Sequence, residues 1–148
     1  MCVTLADMSS RRAGATTDSV AANIMRIRAG YRLSLRDLAD SLGERGVSIT
    51  AQSLSAIEKG NTAITVDLLT AIAAVLDVSP TTLLMPYTED GYEPEMPLTG
   101  VPHDHPVSLY AWLMCDKPLD QPLLPQDQNP DAVLAFRRRS RPAWMRRD

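Results

Sequence analysis

Apolar residues between positions 20 and 85 recur at helical spacing, and short polar segments interrupt them. Four interruptions share one order: an apolar residue, a hydroxyl residue, and a second apolar residue five positions after the first. A hydroxyl side chain in that place caps a helix, and the two apolar residues pack across the cap. With a first helix that carries Val20, the pattern predicts five short helices around one aliphatic core. The capping residues are Ser34, Thr50, Thr65 and Ser79.

Glycines indicate where two of these helices end. Gly30 is placed to give the first helix a left-handed stop, and Gly60 is placed to end the third. In the third helix the spacing of Leu54 and Ile57 predicts that both face the core. The opposite side of that helix then carries Gln52, Ser55, Ala56 and Lys59.

Proline divides the chain into two parts. Between positions 20 and 85 the only proline is Pro80, whereas positions 86–130 contain nine. Because proline breaks helices, residues 87–148 are predicted to form a smaller, irregular region. Within it, residues 107–114 predict a buried strand or two helical turns, and Asn129 predicts the cap of a short helix. Residues 1–19 are small and polar and predict a flexible arm.

Composition is that of an ordinary soluble protein: 45% of the 148 residues are hydrophobic and 22% are charged. Aromatic residues make up only 5%, so aliphatic side chains must build the core. No apolar run is long enough to span a membrane, and the N-terminus does not resemble a secretory signal. Cys2 and Cys115 lie far apart and predict no disulfide framework. We therefore expect a cytoplasmic bacterial protein with no membrane contact.

Charge is distributed unevenly along the chain. Residues 20–86 carry six basic and six acidic side chains and are neutral overall. Residues 87–136 carry nine acids and one lysine, and the last twelve residues carry six arginines and one aspartate. The two net charges, −8 and +5, indicate a charge-based role for the tail.

Three motifs in the first part of the chain resemble those of a known family. Residues 33–43 read L-S-x-x-x-L-A-x-x-L-G, and residues 57–60 read I-E-x-G. Residues 69–84 read L-x-x-I-A-x-x-L-x-V-S-P-x-x-L-L. Each motif is loose alone, but together they resemble the lambda-repressor-like helix-turn-helix domain of the Cro/repressor class, also called the XRE family. The resemblance covers residues 20–86 and implies a mainly α fold with a five-helix domain that binds double-stranded DNA.

The resemblance also implies which residues contact DNA. The third helix, residues 50–59, would lie in the major groove, where Gln52 suits adenine and an alanine suits the thymine methyl group. The alternative is that Gln52 and Ser55 belong to an ordinary solvated face. Matching positions for bases or nearby phosphates are Thr50, Ala51, Gln52, Ser55 and Ala56. Lys59, on the same side of the helix, is a further candidate. Candidates for backbone contacts are Asn61, Thr62, Arg32, Arg36 and Arg45.

Two further features follow from the family pattern. An arginine that ends the first helix commonly pairs with the glutamate before the glycine of the third, and Arg28 and Glu58 occupy these positions. We expect an internal, partly buried ion pair. Residues 43–49 are longer than the usual turn between the second and third helices. Either the second helix extends to Arg45 and stops at Gly46, or a loop bulges outward.

Basic residues flank the domain on both sides. Arg11 and Arg12 in the arm are candidates for minor-groove or phosphate contacts. The tail has three open interpretations: an accessory contact to DNA, a solvated tail, or a segment folded back on residues 87–136. Its candidate residues are Arg137, Arg138, Arg139 and Arg141.

The sequence predicts no enzyme, cofactor or metal site. Residues 103–105 read His-Asp-His and, with Cys115, offer metal-ligand types, but they lack a paired ligand motif. No phosphate-binding glycine loop or nucleophile elbow is present in the sequence.

The first hypothesis is a sequence-specific transcriptional repressor, of the phage or prophage immunity or plasmid type, with residues 87–148 as a candidate for homodimerisation. The rival is an antitoxin-like module whose proline-rich, acidic region 87–131 orders on a protein partner. A third hypothesis is small-molecule sensing by the C-terminal half, which offers little room for a pocket.

Overall fold

The structure, a computed structural model, describes residues 14–146 and is mainly helical. It divides into two compact units. The first unit comprises the described residues up to Tyr87 together with Leu98–Gly100, and the second comprises Thr88–Pro97 and the residues from Val101 onward. The first unit contains α1 (Ala15–Gly30), α2 (Leu35–Glu44), α3 (Ala51–Glu58), α4 (Val66–Val75) and α5 (Pro80–Leu84), which confirms the five predicted helices.

Three of the four predicted hydroxyl caps are made. Ser34 accepts a hydrogen bond from the N–H of Asp37 at 3.0 Å, and the Asp37 carboxylate accepts the N–H of Ser34 at 3.0 Å, which completes a capping box. Thr50 caps α3, and Thr65 caps α4. Ser79 occupies the N-cap position of α5 but makes no side-chain capping bond. Its neighbour Pro80 begins that helix and has no N–H that would need an acceptor.

A pH dependence follows from the capping box. The hydrogen bonds from Ser34 lower the pKa of Asp37, so the folded state binds the proton less readily than the unfolded state. The stabilisation is therefore complete above the unfolded pKa of about 3.9 and is lost as the pH falls through the folded pKa. We expect Asp37→Asn to lower the thermal midpoint at pH 7, and the difference from wild type to shrink in acid. Thermal denaturation across pH, with Asp40→Asn on the same helix as the control, measures this; a difference that stays constant in acid would contradict it.

Left-handed residues follow the first four helices of the first unit. Gly46 and Gly60 have φ angles of +80° and +72° after α2 and α3. The predicted stop at Gly30 is wrong, because the helix includes Gly30 and the left-handed residue is Arg32, at φ +56°. The reversal falls there because the N–H of Leu33 bonds to the carbonyl of Arg28 at 3.1 Å.

The long segment between α2 and α3 is anchored at both ends. The helix ends at Glu44 with Arg45 as its cap, and the N–H of Val47 bonds to the carbonyl of Leu42 at 2.9 Å. Val47 and Ile49 pack against the core. The structure is therefore close to the first predicted alternative, in which the second helix extends to Arg45 and stops at Gly46. Gly46 makes the left-handed turn.

The core of the first unit is aliphatic, as predicted. Every helix of the unit contributes at least one side chain that is less than 2% exposed. These large buried side chains are Ile24 from α1, Leu38 and Leu42 from α2, Leu54 from α3, Ile72 from α4 and Leu83 from α5.

The first helix begins earlier than predicted. Residues 15–19, assigned to the flexible arm, belong to α1. The N–H of Thr16 donates to the Thr99 hydroxyl at 3.1 Å, and the N–H of Thr99 donates to the Thr16 hydroxyl at 2.8 Å. Buried Asn23 lies two turns later and donates to the carbonyls of Leu83 and Met85. These bonds join residues distant in sequence, so the local pattern does not contain them.

The region after residue 87 is more regular than predicted. It contains a two-stranded hairpin, β1 (Met96–Leu98) and β2 (Val101–Asp104), which the sequence analysis missed. It also contains α6 (Pro106–Leu113), α7 (Pro130–Ser140) and two 3-10 turns, Pro125–Asp127 and Ala143–Met145. The predicted cap of α7 is confirmed, because Asn129 accepts the N–H of Asp131 at 3.0 Å.

The apolar run 107–114 forms a helix and not a strand. Pro106 occupies its first position, and the Asp104 carboxylate accepts the hydroxyl proton of Ser108 at 2.7 Å. Both features favour a helix start, since proline has no N–H to satisfy there and a carboxylate complements the helix dipole. No helix within residues 14–146 is long and apolar enough to cross a membrane.

Candidate nucleic-acid interface

Helix α3 exposes a polar side and buries an apolar one. Leu54 and Ile57 are 1% and 4% exposed, whereas Gln52 lies in solvent. Ser55 and Ala56 are half-buried at the edges of the exposed side. Because this helix is short and its outward side chains are small or flexible, its surface is unobstructed.

The N-terminus of α3 is fixed by a pair of hydroxyl residues. The Thr50 hydroxyl accepts the N–H of Ser53 at 3.1 Å and donates to the Ser53 hydroxyl at 3.0 Å. Thr50 and Ser53 are exposed, and Ala51 between them is half-buried. The helix therefore presents its free N–H groups and two hydroxyl groups at one end.

A buried ion pair connects α3 to α1. The Arg28 Nε donates to Glu58 Oε1 at 2.6 Å, and the Arg28 Nη2 donates to Glu58 Oε2 at 2.9 Å. The Arg28 Nη1 donates to the carbonyl of Leu33 at 2.7 Å. The Glu58 side chain is 5% exposed and that of Arg28 is 16% exposed. The two-pronged geometry sets the position of α3 on α1 and fits the predicted internal pair.

The pKa of Arg28 is raised above its ordinary value, chiefly by its hydrogen bond to Glu58. A raised arginine pKa means that Arg28 is charged throughout the neutral range, so its own titration contributes no pH dependence there.

An open groove runs beside α3. It is lined by Gln52, Ser53 and Ala56 from α3 and by Thr62 and Thr65 from the segment that leads to α4. Thr65 accepts the N–H of Leu68 at 3.2 Å, so a second capped helix start lies at this groove. The groove thus combines small side chains with polar groups from two helix starts.

Sequence reasoning missed Ser53 and Thr65 as groove residues. Ser53 follows Gln52 in the first turn of α3. The same helical geometry that places Gln52 on the exposed side therefore indicated that Ser53 lies close to it. Thr65 was interpreted only as a cap. Nothing local indicates that the start of α4 lies beside α3, since that depends on packing.

The other described residues predicted for DNA contact are exposed. Lys59 caps the end of α3, and the N–H of Asn61 bonds to the carbonyl of Ala56 at 2.9 Å. Arg45 caps α2, where its Nη1 lies 3.5 Å from the carbonyl of Ser41. The remaining exposed residues are Thr62, Arg32 and Arg36. Arg11 and Arg12 lie outside the described residues.

The basic tail lies in the second unit, where it is helical through Ser140. The Arg137 Nε donates to the carbonyl of Asp116 at 2.9 Å. Arg141 donates to the carbonyl of Cys115 at 3.2 Å and pairs with the Asp116 carboxylate. Of the three interpretations of the tail, the one in which it folds back on residues 87–136 applies to these two arginines. Arg138 and Arg139 are exposed on the same helix.

The residues of metal-ligand type have other roles. Asp104 accepts hydrogen bonds at the start of α6, and the His105 Nδ1 lies 2.6 Å from the carbonyl oxygen of Tyr92. The Cys115 thiol lies 3.6 Å from the carbonyl of Ser140. Within residues 14–146, no three histidine, cysteine or acidic side chains are grouped so as to hold a metal ion.

Comparison with protein families agrees with the fold of the first unit. A family model described as helix-turn-helix matches residues 24–83. Among solved structures, the chain is similar to a hypothetical transcription factor, NHTF, from Neisseria. The two are 25% identical with a TM-score of 0.43, over 48% of this chain and 76% of that chain. No curated protein matches the chain. Residues 24–83 are therefore a helix-turn-helix domain of the Cro/repressor class, which confirms the resemblance over that range.

Proposed function

We propose that this protein is a transcriptional repressor that recognises a specific double-stranded DNA sequence through α3. The helix-turn-helix domain supports a DNA-binding transcriptional regulator. The observation that carries the proposal is the orientation of α3, whose apolar side is buried while Gln52 faces solvent. Such a domain can repress transcription by occluding a promoter. The proposed setting is a phage or prophage immunity repressor, or a plasmid regulator.

The chemistry of the exposed side suits base recognition. Gln52 can donate to and accept from adenine in a bidentate contact, and the methyl groups of Ala51 and Ala56 suit the thymine methyl. Ser53 and Ser55 can donate to bases or phosphates. Because these side chains are small apart from Gln52, α3 can approach the floor of the major groove.

The surrounding residues suit the sugar-phosphate backbone. Thr50 lies at the N-terminus of α3, where free N–H groups favour a phosphate. Asn61 and Thr62 follow α3, and Lys59 ends it. The cationic side chains proposed for phosphates nearby are Arg32, Arg36 and Arg45.

We expect Gln52→Ala to weaken binding to the preferred sequence by about 1–3 kcal/mol and to relax selectivity at one base pair. The cause is loss of a bidentate contact to one base, so affinity for unrelated duplexes should change little. Fluorescence anisotropy with the preferred duplex and single-base variants of it measures both effects. Gln126→Ala, another exposed glutamine, is the matched control; equal losses on all duplexes would contradict the base contact.

The proposal as a whole is tested by selecting bound sequences from random duplexes at several salt concentrations. Enrichment of one motif that persists as salt rises supports sequence-specific recognition. A motif with two-fold symmetry supports a homodimer, and an asymmetric one supports a monomer. Absence of any enriched motif, even at low salt, would overturn the proposal.

A second candidate is an antitoxin-like protein with the same DNA-binding domain and a protein partner for residues 87–148. The second unit favours it by exposing apolar side chains: Tyr110 is 50% exposed, Met114 44% and Leu124 52%. Light scattering on purified protein distinguishes self-association through this surface from a monomer. Charged substitutions at Tyr110 and Leu124 that leave DNA binding and repression intact would count against a required partner there.

A further inference from the structure

The second unit contains a groove in which four arginine side chains meet. It lies along α7 and the 3-10 turn that follows. Leu134 and Met145 supply its apolar part and are 48% and 47% exposed. The arginines that line it are Arg137, Arg138, Arg141 and Arg146. All four belong to the predicted basic tail, whereas Arg139 of the same tail does not line the groove.

Hydrogen bonds to carbonyl oxygens position three of the four guanidinium groups. Arg137 donates through Nε to Asp116, and Arg141 donates through Nε to Cys115. The Arg146 Nε donates to the carbonyl of Arg141 at 3.1 Å. Each bond uses the Nε and fixes the plane of the group. Within residues 14–146, the Nη groups of Arg137 and Arg146 donate no hydrogen bond and remain available.

This arrangement concentrates positive charge that an anion can neutralise. Asp116 pairs with Arg141, while Arg137 and Arg146 add positive charge beside the same groove. Like charges held close together repel each other, and a multivalent anion removes that repulsion. Guanidinium groups also match the oxygen spacing of phosphate through paired N–H donors.

The size and lining of the groove indicate the class of ligand. Its cavity volume is about 150 Å³, below the range of drug-sized ligand sites, so it suits a single small group. Among the lining residues within 14–146, the polar ones are all arginines. A phosphorylated molecule suits both the basic and the apolar part of this surface. Its phosphate group can contact the arginines while the atoms attached to the phosphate lie beside Leu134 and Met145.

We propose that this groove is a phosphate-binding site. The phosphate can come from a nucleic-acid backbone or from a free phosphorylated small molecule, which present the same chemistry. The nucleic-acid source rests on the proposed function, whereas phosphate binding rests on the groove alone. A backbone contact here would supply positive charge to a protein whose residues 20–86 are neutral overall.

The first arm of the test is calorimetric titration of the full chain with inorganic tripolyphosphate. We expect Arg137→Gln and Arg146→Gln each to weaken binding about tenfold, the effect of losing one charge-assisted contact. Arg139→Gln removes the same charge from the same helix outside the groove and should change affinity less than twofold, by about 0.4 kcal/mol. Equal losses in all three variants would show diffuse attraction and overturn the site, as would absence of binding to the wild type. Circular dichroism checks that the variants fold.

The second arm identifies the source of the phosphate. The affinity of each variant for a duplex is measured against salt concentration, where one lost phosphate contact lowers the slope by about one. A reduced slope for the groove variants alone supports the nucleic-acid backbone. An unchanged slope, with tripolyphosphate binding lost, supports a free phosphorylated molecule. If the protein binds no duplex at all, the proposed function is overturned. The calorimetric titration then still decides whether the groove binds phosphate.

Discussion

Leu54→Ala is expected to lower the free energy of unfolding of the helix-turn-helix domain by about 2–5 kcal/mol, enough to unfold it if the domain is marginal. Leu54 is 1% exposed and packs into the core cluster that joins all five helices. Removing its methyl groups loses their burial and leaves a cavity that a close-packed core fills only in part. DNA binding should be lost with the fold.

The measurement is urea denaturation followed by circular dichroism. Gln52→Ala is the matched control, because it truncates a side chain on the exposed side of the same helix. We expect the control to keep the stability of the wild type within about 0.5 kcal/mol while losing DNA selectivity. A Leu54→Ala protein as stable as the control would show that α3 does not depend on its buried side, against the packing described above.

Arg28→Met is expected to destabilise the same domain by about 3–5 kcal/mol. The substitution leaves the Glu58 carboxylate, whose side chain is 5% exposed, without the two hydrogen bonds that satisfy it. It also removes the donor to the Leu33 carbonyl, which lies at the turn between α1 and α2. A buried charge without a partner is costly because the low-polarity interior solvates it poorly.

A double variant separates the cost of an unpaired charge from the net value of the pair. Arg28→Met combined with Glu58→Met removes both charges, and we expect it to recover most of the lost stability. Arg36→Met, an exposed arginine on α2, is the control and should cost less than about 0.5 kcal/mol. If Arg28→Met costs no more than this control, the pair is solvated and does not hold α3 in place. If the double variant is as unstable as the single one, the packing of the two side chains matters more than their charge.

The positions of these residues were largely predictable from the sequence. The caps at Ser34, Thr50 and Thr65 depend on bonds to the N–H three residues later, so a short segment contains the whole signal. The burial of Leu54 and Ile57 follows from helical spacing in the same way. The Arg28–Glu58 pair is different, because it joins residues 30 apart and was expected only from the family resemblance.

The parts that the sequence analysis missed depend on contacts over longer separations. Thr16 and Thr99 are 83 residues apart, and their bonds accompany the earlier start of α1. Arg137 and Arg141 bind carbonyls 21 and 26 residues away, so composition identified a basic tail but not its groove. Charge counts treat Arg139 and Arg146 alike, although only Arg146 lines that groove.

The sequence by itself determined that the first unit has five helices, that three of them are capped by hydroxyl side chains, and which side of α3 is buried. Each of these is a local property, since a helix and its cap satisfy their own backbone groups within a few residues. Only the tertiary structure decided that the start of α4 lies beside α3, that residues 107–113 are helical and that four arginines meet in one groove. These features depend on which distant carbonyl, carboxylate or apolar face each side chain finds, and a linear pattern does not encode that choice.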